Sequence, residues 1–164
     1  MTETIQLVME KLIELYAGDP RRIQHFTKVH AYASLIGRKS LLDNNTQEIL
    51  EIAALTHDIG IHYCEEKYGQ CGGALQEKEG PAIAESLLLE IGVKEATIYR
   101  VCYLIGHHHT YTGVDGLDWQ ILLEADFLVN GLEDAMEKGV IESVYQRVFK
   151  TPYGKELCRL MYGF

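Results

Sequence analysis

Apolar side chains recur along this chain at intervals of three and four residues, the spacing of one helical face, over nearly its whole length. Ile5, Val8, Met9, Leu12, Ile13 and Tyr16 form the first such stripe and predict an amphipathic helix over 3–17. Gly18-Asp19-Pro20 ends it and opens the next, because aspartate suits the N-cap and proline the first helical position. A second stripe, Ile23, Phe26, Val29, Tyr32, Ala33 and Ile36, predicts a helix ending near Gly37, with His25 on or beside its buried face.

Asp43-Asn44-Asn45-Thr46 is a run of capping residues, with Asn45 and Glu48 at capping-box spacing, ahead of a helix through Ile49, Ile52, Ala53 and Leu55. Residues 60–78 are glycine-rich and charged and read as irregular. Gly80-Pro81 predicts the start of a fourth helix, closed by Gly92, and a fifth leads from Glu95 into His107-His108-His109. After a turn-rich stretch at 113–118, an apolar helix is expected from Trp119 to Leu128. Two more, near 133–149 and 153–162, are separated by Thr151-Pro152. With no alternating strand pattern and no internal repeat, the expected class is all-α: a single-domain helical bundle over 1–164, of seven or eight helices.

Composition excludes several roles. The 164 residues fit one domain of the usual ~100–200, and 47% hydrophobic with 24% charged residues is ordinary for a globular protein. A formal net charge of −9 disfavours a sequence-independent grip on nucleic acid or on an anionic membrane. No apolar run approaches the ~18 residues of a membrane span, and the opening Met1-Thr2-Glu3-Thr4 lacks the basic region of a leader. Four cysteines show no CxxC pair. The expectation is a cytoplasmic protein with reduced thiols that acts on a small molecule, with no nucleic-acid polymer and no membrane as partner. A homodimer is expected only from its general frequency among oligomers.

All seven histidines fall in three places: His25 with His30, His57 with His62, and the run 107–109. Ala54-Leu55-Thr56-His57-Asp58-Ile59-Gly60 ends an apolar helix with two potential ligands, and Leu123-Glu124-Ala125-Asp126-Phe127-Leu128 sets a carboxylate inside another. An ionised aspartate in apolar surroundings is expensive unless it is paired or holds a metal. Helical proteins build metal sites from such side chains, converging in the bundle core from separate helices.

The set His25…His57-Asp58…Asp126 resembles the H…HD…D signature of the HD superfamily, mostly metal-dependent phosphohydrolases, over residues 22–130. The resemblance implies an HD-domain fold, with His25, His57, Asp58 and Asp126 as shared metal ligands and Asp58 as the bridge where two ions are bound. It implies a second group as well: His107 and His108 as paired ligands, with Glu79 standing before Gly80-Pro81 where relatives carry histidine. Glutamate can ligate a hard divalent cation. His62 stands close to where many relatives have lysine, and is a candidate proton donor or phosphate contact beside Asp58. Arg22 and Lys28, flanking His25, are candidate anion partners.

A mixed histidine and carboxylate set suits Mn, Fe or Co, with Mg also admissible, as one or two ions per chain. Such an ion lowers the pKa of its water and polarises a phosphoryl oxygen. The implied activity is therefore hydrolysis of a phosphoester or phosphoanhydride of a small molecule, a nucleotide among the options. Two alternatives stay open: a di-iron oxygenase on the same scaffold, and a metal- or nucleotide-binding module without turnover.

Overall fold

A computed structural model describes residues 2–164, and among them nine α-helices and no strand are found. They are α1 (Glu3–Leu15), α2 (Pro20–Lys39), α3 (Asn44–Thr56), α4 (Ile61–Tyr68), α5 (Gly73–Ile91), α6 (Glu95–Ile105), α7 (Leu117–Glu133), α8 (Lys138–Val148) and α9 (Pro152–Tyr162). The all-α expectation holds, and side-chain capping sets the starts of α1, α2, α3 and α9. Asp19 accepts from Arg22 N at 3.1 Å, with Pro20 in the first turn. Thr151 caps α9 in the same way through Gly154 N.

Several boundaries differ from the sequence reading, α7 for instance running on to Glu133 so that α8 starts only at Lys138. Asp43, not Asn45, caps α3, accepting from Asn45 N and Thr46 N, while Glu48 accepts from Thr2 Oγ1 and ties α3 to the start of α1. The stretch 60–78 is largely helical: α4 buries only Ile61 and Cys64 and stops at Gly69, whose φ of 70° is the left-handed C-cap conformation. Two apolar positions three apart are too weak a periodic signal to stand out among charges. α5 likewise begins at Gly73 and carries Pro81 in its interior, although proline usually breaks a helix there.

Two helices make the centre. In α7, thirteen of seventeen residues are buried, and in α3 nine of thirteen, so neither has a solvent face and both are wrapped by the amphipathic helices. One hydrophobic cluster runs through α1, α2, α3, α5, α6 and α7 to Phe149 and Cys158. The turn that carries His57-Asp58 packs directly on α5: a Cβ on Gly60 would lie 3.1 Å from Gly80 Cα, and one on Gly80 would lie 2.9 Å from Ile105 Cγ2. Only glycine at both positions permits that approach.

The buried acids of the inner helices are satisfied within the protein, with one exception. Glu51 accepts from Ser34, Gln47 and Arg38 and pairs with His30. Glu124 accepts from Gln120, from the Lys150 and Thr151 amides and from the Thr151 hydroxyl. Asp118 accepts from Arg100 through both oxygens at 2.8 Å. In Asp126, Oδ1 is buried without a hydrogen-bond partner. No helix among the described residues is long and apolar enough to cross a membrane.

Candidate metal centre

Three histidines turn the same ring nitrogen toward the Asp58 carboxylate. His57 Nδ1 donates to Ala54 O at 2.9 Å, and His108 Nδ1 donates to Ile105 O at 2.7 Å. A carbonyl can only accept, so in the neutral ring each Nε2 keeps its lone pair. His25 Nδ1 donates to Glu133 Oε2 at 2.9 Å, which leaves Nε2 in the same state. Fixing one ring nitrogen to orient the other is the arrangement that surrounds metal-bound histidine.

Four atoms then close a tight set. His25 Nε2 and His57 Nε2 are 3.2 Å apart, Asp126 Oδ1 lies 3.4 Å from each, and Asp58 Oδ2 lies 3.4 Å from the first and 3.6 Å from the second. Ligand atoms ~2.1 Å from a shared cation are about 3.0 Å apart at a right angle and about 3.4 Å apart at the tetrahedral angle. The spacing therefore fits one ion, and the orphaned Asp126 Oδ1 is the acceptor that such an ion would satisfy. Asp58 offers its other oxygen, Oδ1, to His108 Nε2 at 3.5 Å. A second group, Asp58, His108 and His109, is close enough to hold a further ion, so Asp58 belongs to both.

Charge is strongly coupled across the cluster. Burial works against ionising Asp58, but His57 and His108 beside it bring its pKa down to about 2. Burial likewise opposes charge on His57, yet Asp58 and Asp126 lift it to about 9. Asp126 is also driven down against burial by the neighbouring His25 and His57 rings. A buried and a half-buried carboxylate thus demand compensating positive charge, and a divalent cation supplies it without protonating the histidines.

Not every residue singled out by sequence joins this cluster. His107 turns away: its Nδ1 donates to Tyr103 O at 2.7 Å and its ring stacks on Tyr103 and meets the edge of Trp119. His109 takes the place expected for it, with Nε2 2.7 Å from the Gln76 carboxamide, which also lies 3.1 Å from His108 Nε2. Glu79 accepts from Tyr68 at 2.6 Å and faces Lys67 and Lys78. Because α5 starts at Gly73, the stripe that faces the cluster is Gly73, Gln76 and Gly80, which leaves Glu79 one position off it. His62 is exposed and sits 3.1 Å from Asp19, with its ring against Tyr16, whose hydroxyl donates to Asp58 O.

Arg22 is engaged by Glu65 at 2.8 Å and Asp19 at 3.8 Å, and Lys28 pairs with Glu133. Arg21, Arg22, Asn130, Glu133 and Asp134 join His25 and Asp58 in lining a polar cleft of about 170 Å³ that opens onto the cluster. Arg21, Asn130 and Glu133 escaped the sequence reading, although spacing held the signal: Arg21, His25 and Lys28 share one stripe of α2, and Asp126, Asn130 and Glu133 one stripe of α7. Three larger clefts, of about 770, 520 and 460 Å³, have no member of the cluster in their walls. Bordering none of the converging donors, they carry no comparable chemistry.

No family model matches the sequence, and no curated protein matches it significantly. Among solved structures it is similar to a crystal structure described as a predicted HD superfamily hydrolase from an uncultured Thermotogales bacterium. The TM-score is 0.65 at 27% identity, over 99% of this chain and 84% of that one. That likeness runs through the whole bundle, and together with the convergence of His25, His57-Asp58 and Asp126 it supports assignment of the chain to the HD superfamily.

Proposed function

We propose that the chain is a metal-dependent phosphohydrolase of the HD type, cleaving a phosphoester or phosphoanhydride of a small molecule. The observation that carries this reading is the convergence of three oriented histidine nitrogens and a partnerless buried carboxylate oxygen beside a polar cleft with two arginines. The related crystal structure, described as a predicted hydrolase, supports it. In this reading residues 1–164 form one HD domain working in the cytoplasm, where four free cysteines stay reduced.

His25, His57 and Asp58, with Asp126 beside both histidines, would hold one ion, and Asp58, His108 and His109 a second, with Mn, Fe or Co the best match to the donors. Bound there, a divalent cation activates water and polarises the phosphoryl oxygen. The chain's own part is to turn Nε2 of each histidine toward Asp58, to share the Asp58 carboxylate between the two groups, and to draw an anion to the cleft through its arginines. Inorganic phosphate released from a panel of phosphate esters by the metal-loaded protein should vanish in His57→Ala and Asp58→Ala, each with unchanged helicity. Release that survives both substitutions contradicts the proposal. Dioxygen uptake by the iron-loaded protein without phosphate release would replace it with the oxygenase reading.

A further inference from the structure

The cleft beside His25 and Asp58 has an unusual lining. Small-molecule sites are mostly apolar hollows of ~300–1,000 Å³ with a few polar groups. This one is smaller, about 170 Å³, and apart from the His25 imidazole, which is turned to the cluster, none of its lining residues is aromatic or aliphatic. A nucleobase is normally held by stacking on an aromatic or guanidinium face within an apolar slot. Here there is neither the slot nor the room for a base and a ribose together.

Its polar groups are divided between two walls. On the α2 wall, Arg22 is held by Glu65 and Asp19 and Lys28 by Glu133, whereas Arg21 takes part in none of these pairs. Arg21 is therefore the guanidinium whose donors are free for an anion, one helical turn from His25. On the α7 wall, the Asn130 amide offers both a donor and an acceptor, and the exposed Asp134 carboxylate offers acceptors. Asp134 and Glu133 repel further phosphates, so a di- or triphosphate chain cannot extend along that wall, but neutral hydroxyl groups can.

We infer that the substrate is a small phosphomonoester of a polyhydroxy compound, with its single phosphoryl group toward Arg21 and its hydroxyls toward Asn130 and Asp134. The inference rests on the hydrolase reading and narrows it. The reaction balances as ROPO₃²⁻ + H₂O → ROH + HPO₄²⁻. The water oxygen bonds to phosphorus and the ester P–O bond breaks; one water proton ends on the alcohol and the other stays on phosphate.

The test uses the full-length metal-loaded chain with glycerol 3-phosphate, ethyl phosphate, AMP and ATP as probes. Both turnover and ligand-induced thermal shift are read. Glycerol 3-phosphate should exceed AMP and ATP in kcat/KM by about tenfold or more. Arg21→Ala should raise KM for glycerol 3-phosphate and ethyl phosphate alike by about tenfold, with metal content unchanged. Asn130→Ala should raise KM for glycerol 3-phosphate only, since ethyl phosphate has no hydroxyls to lose. A preference for AMP or ATP, or an Asn130→Ala variant that treats the two monoesters alike, overturns the inference while leaving hydrolysis intact. Should no ester turn over, the hydrolase reading fails by itself. The thermal shift then decides the cleft: stabilisation by glycerol 3-phosphate that Arg21→Ala abolishes upholds it, and no stabilisation overturns it.

Discussion

Glu133 Oε2 accepts the Nδ1 hydrogen of His25 at 2.9 Å, and the other oxygen of the same carboxylate pairs with Lys28. The bond crosses from the last turn of α7 to the second turn of α2 and fixes which nitrogen of His25 faces Asp58 and Asp126. Removing a partner that orients a metal-binding histidine commonly weakens metal affinity about 10–100-fold. Glu133→Ala should do so in a titration against a chelating dye. Lys28→Ala removes only a partly exposed ion pair and should change affinity by no more than about fivefold.

A cation that binds only the folded chain raises stability with its concentration, by about 2.7 kcal/mol at a hundred times its Kd. For a chain of this length that is a rise in Tm of roughly 5–10 °C. Mn or Co should produce it in the wild type and a chelator should reverse it. In Asp126→Ala, which lacks the buried oxygen that has no protein partner, the rise should be absent.

Acid should weaken the fold through Glu51. Burial alone would raise its pKa, but bonds to His30, Gln47 and Ser34 hold it at about 2, below the ordinary 4.5. A depressed carboxylate stabilises the native state fully above the unfolded value and ceases to do so as pH falls toward the folded one. Denaturant unfolding should therefore show this contribution intact at pH 7 and fading between about pH 4.5 and about pH 2. Glu51→Gln should cost about 2 kcal/mol or more at pH 7, and the gap to wild type should narrow as pH is lowered through that window.

The junction of α8 and α9 hangs on Glu124, whose carboxylate collects the Lys150 and Thr151 amides at 2.7 and 2.9 Å. A Cβ on Gly154 would overlap Glu124 Oε2 and lie 2.6 Å from Thr151 Oγ1. Gly154→Ala should cost about 2–4 kcal/mol in urea unfolding, from overpacking together with loosened buried hydrogen bonds. Metal content should stay the same, because this network does not touch the histidine cluster.

Strong periodicity and capping residues made α1, α2, α3, α6 and α7 legible from the chain alone, and the resemblance of His25, His57-Asp58 and Asp126 to the HD signature pointed to the side chains that the fold brings together. Where the reading fell short, the reason was local. A short helix with two buried residues, Ile61 and Cys64, leaves little periodic trace, and Pro81 argued for a helix start where a helix in fact continues. That displacement misassigned the facing residue of α5 to Glu79 instead of Gln76. In His107-His108-His109, identical neighbours point in different directions, and only the tertiary contacts of Tyr103 and Trp119 decide which ring leaves the cluster. The pairing of Arg22 and Lys28 with acids, which leaves Arg21 free, depends on side chains far away in sequence and was likewise invisible.

Elemental analysis of tag-free protein, loaded with Mn, Fe or Co and then desalted, tests the central claim most directly. At least one ion per wild-type chain is expected, falling to background in both His57→Ala and Asp126→Ala while helicity is retained. Wild-type protein that keeps no ion, or variants that keep as much as the wild type, would contradict the assignment of this cluster as a metal centre.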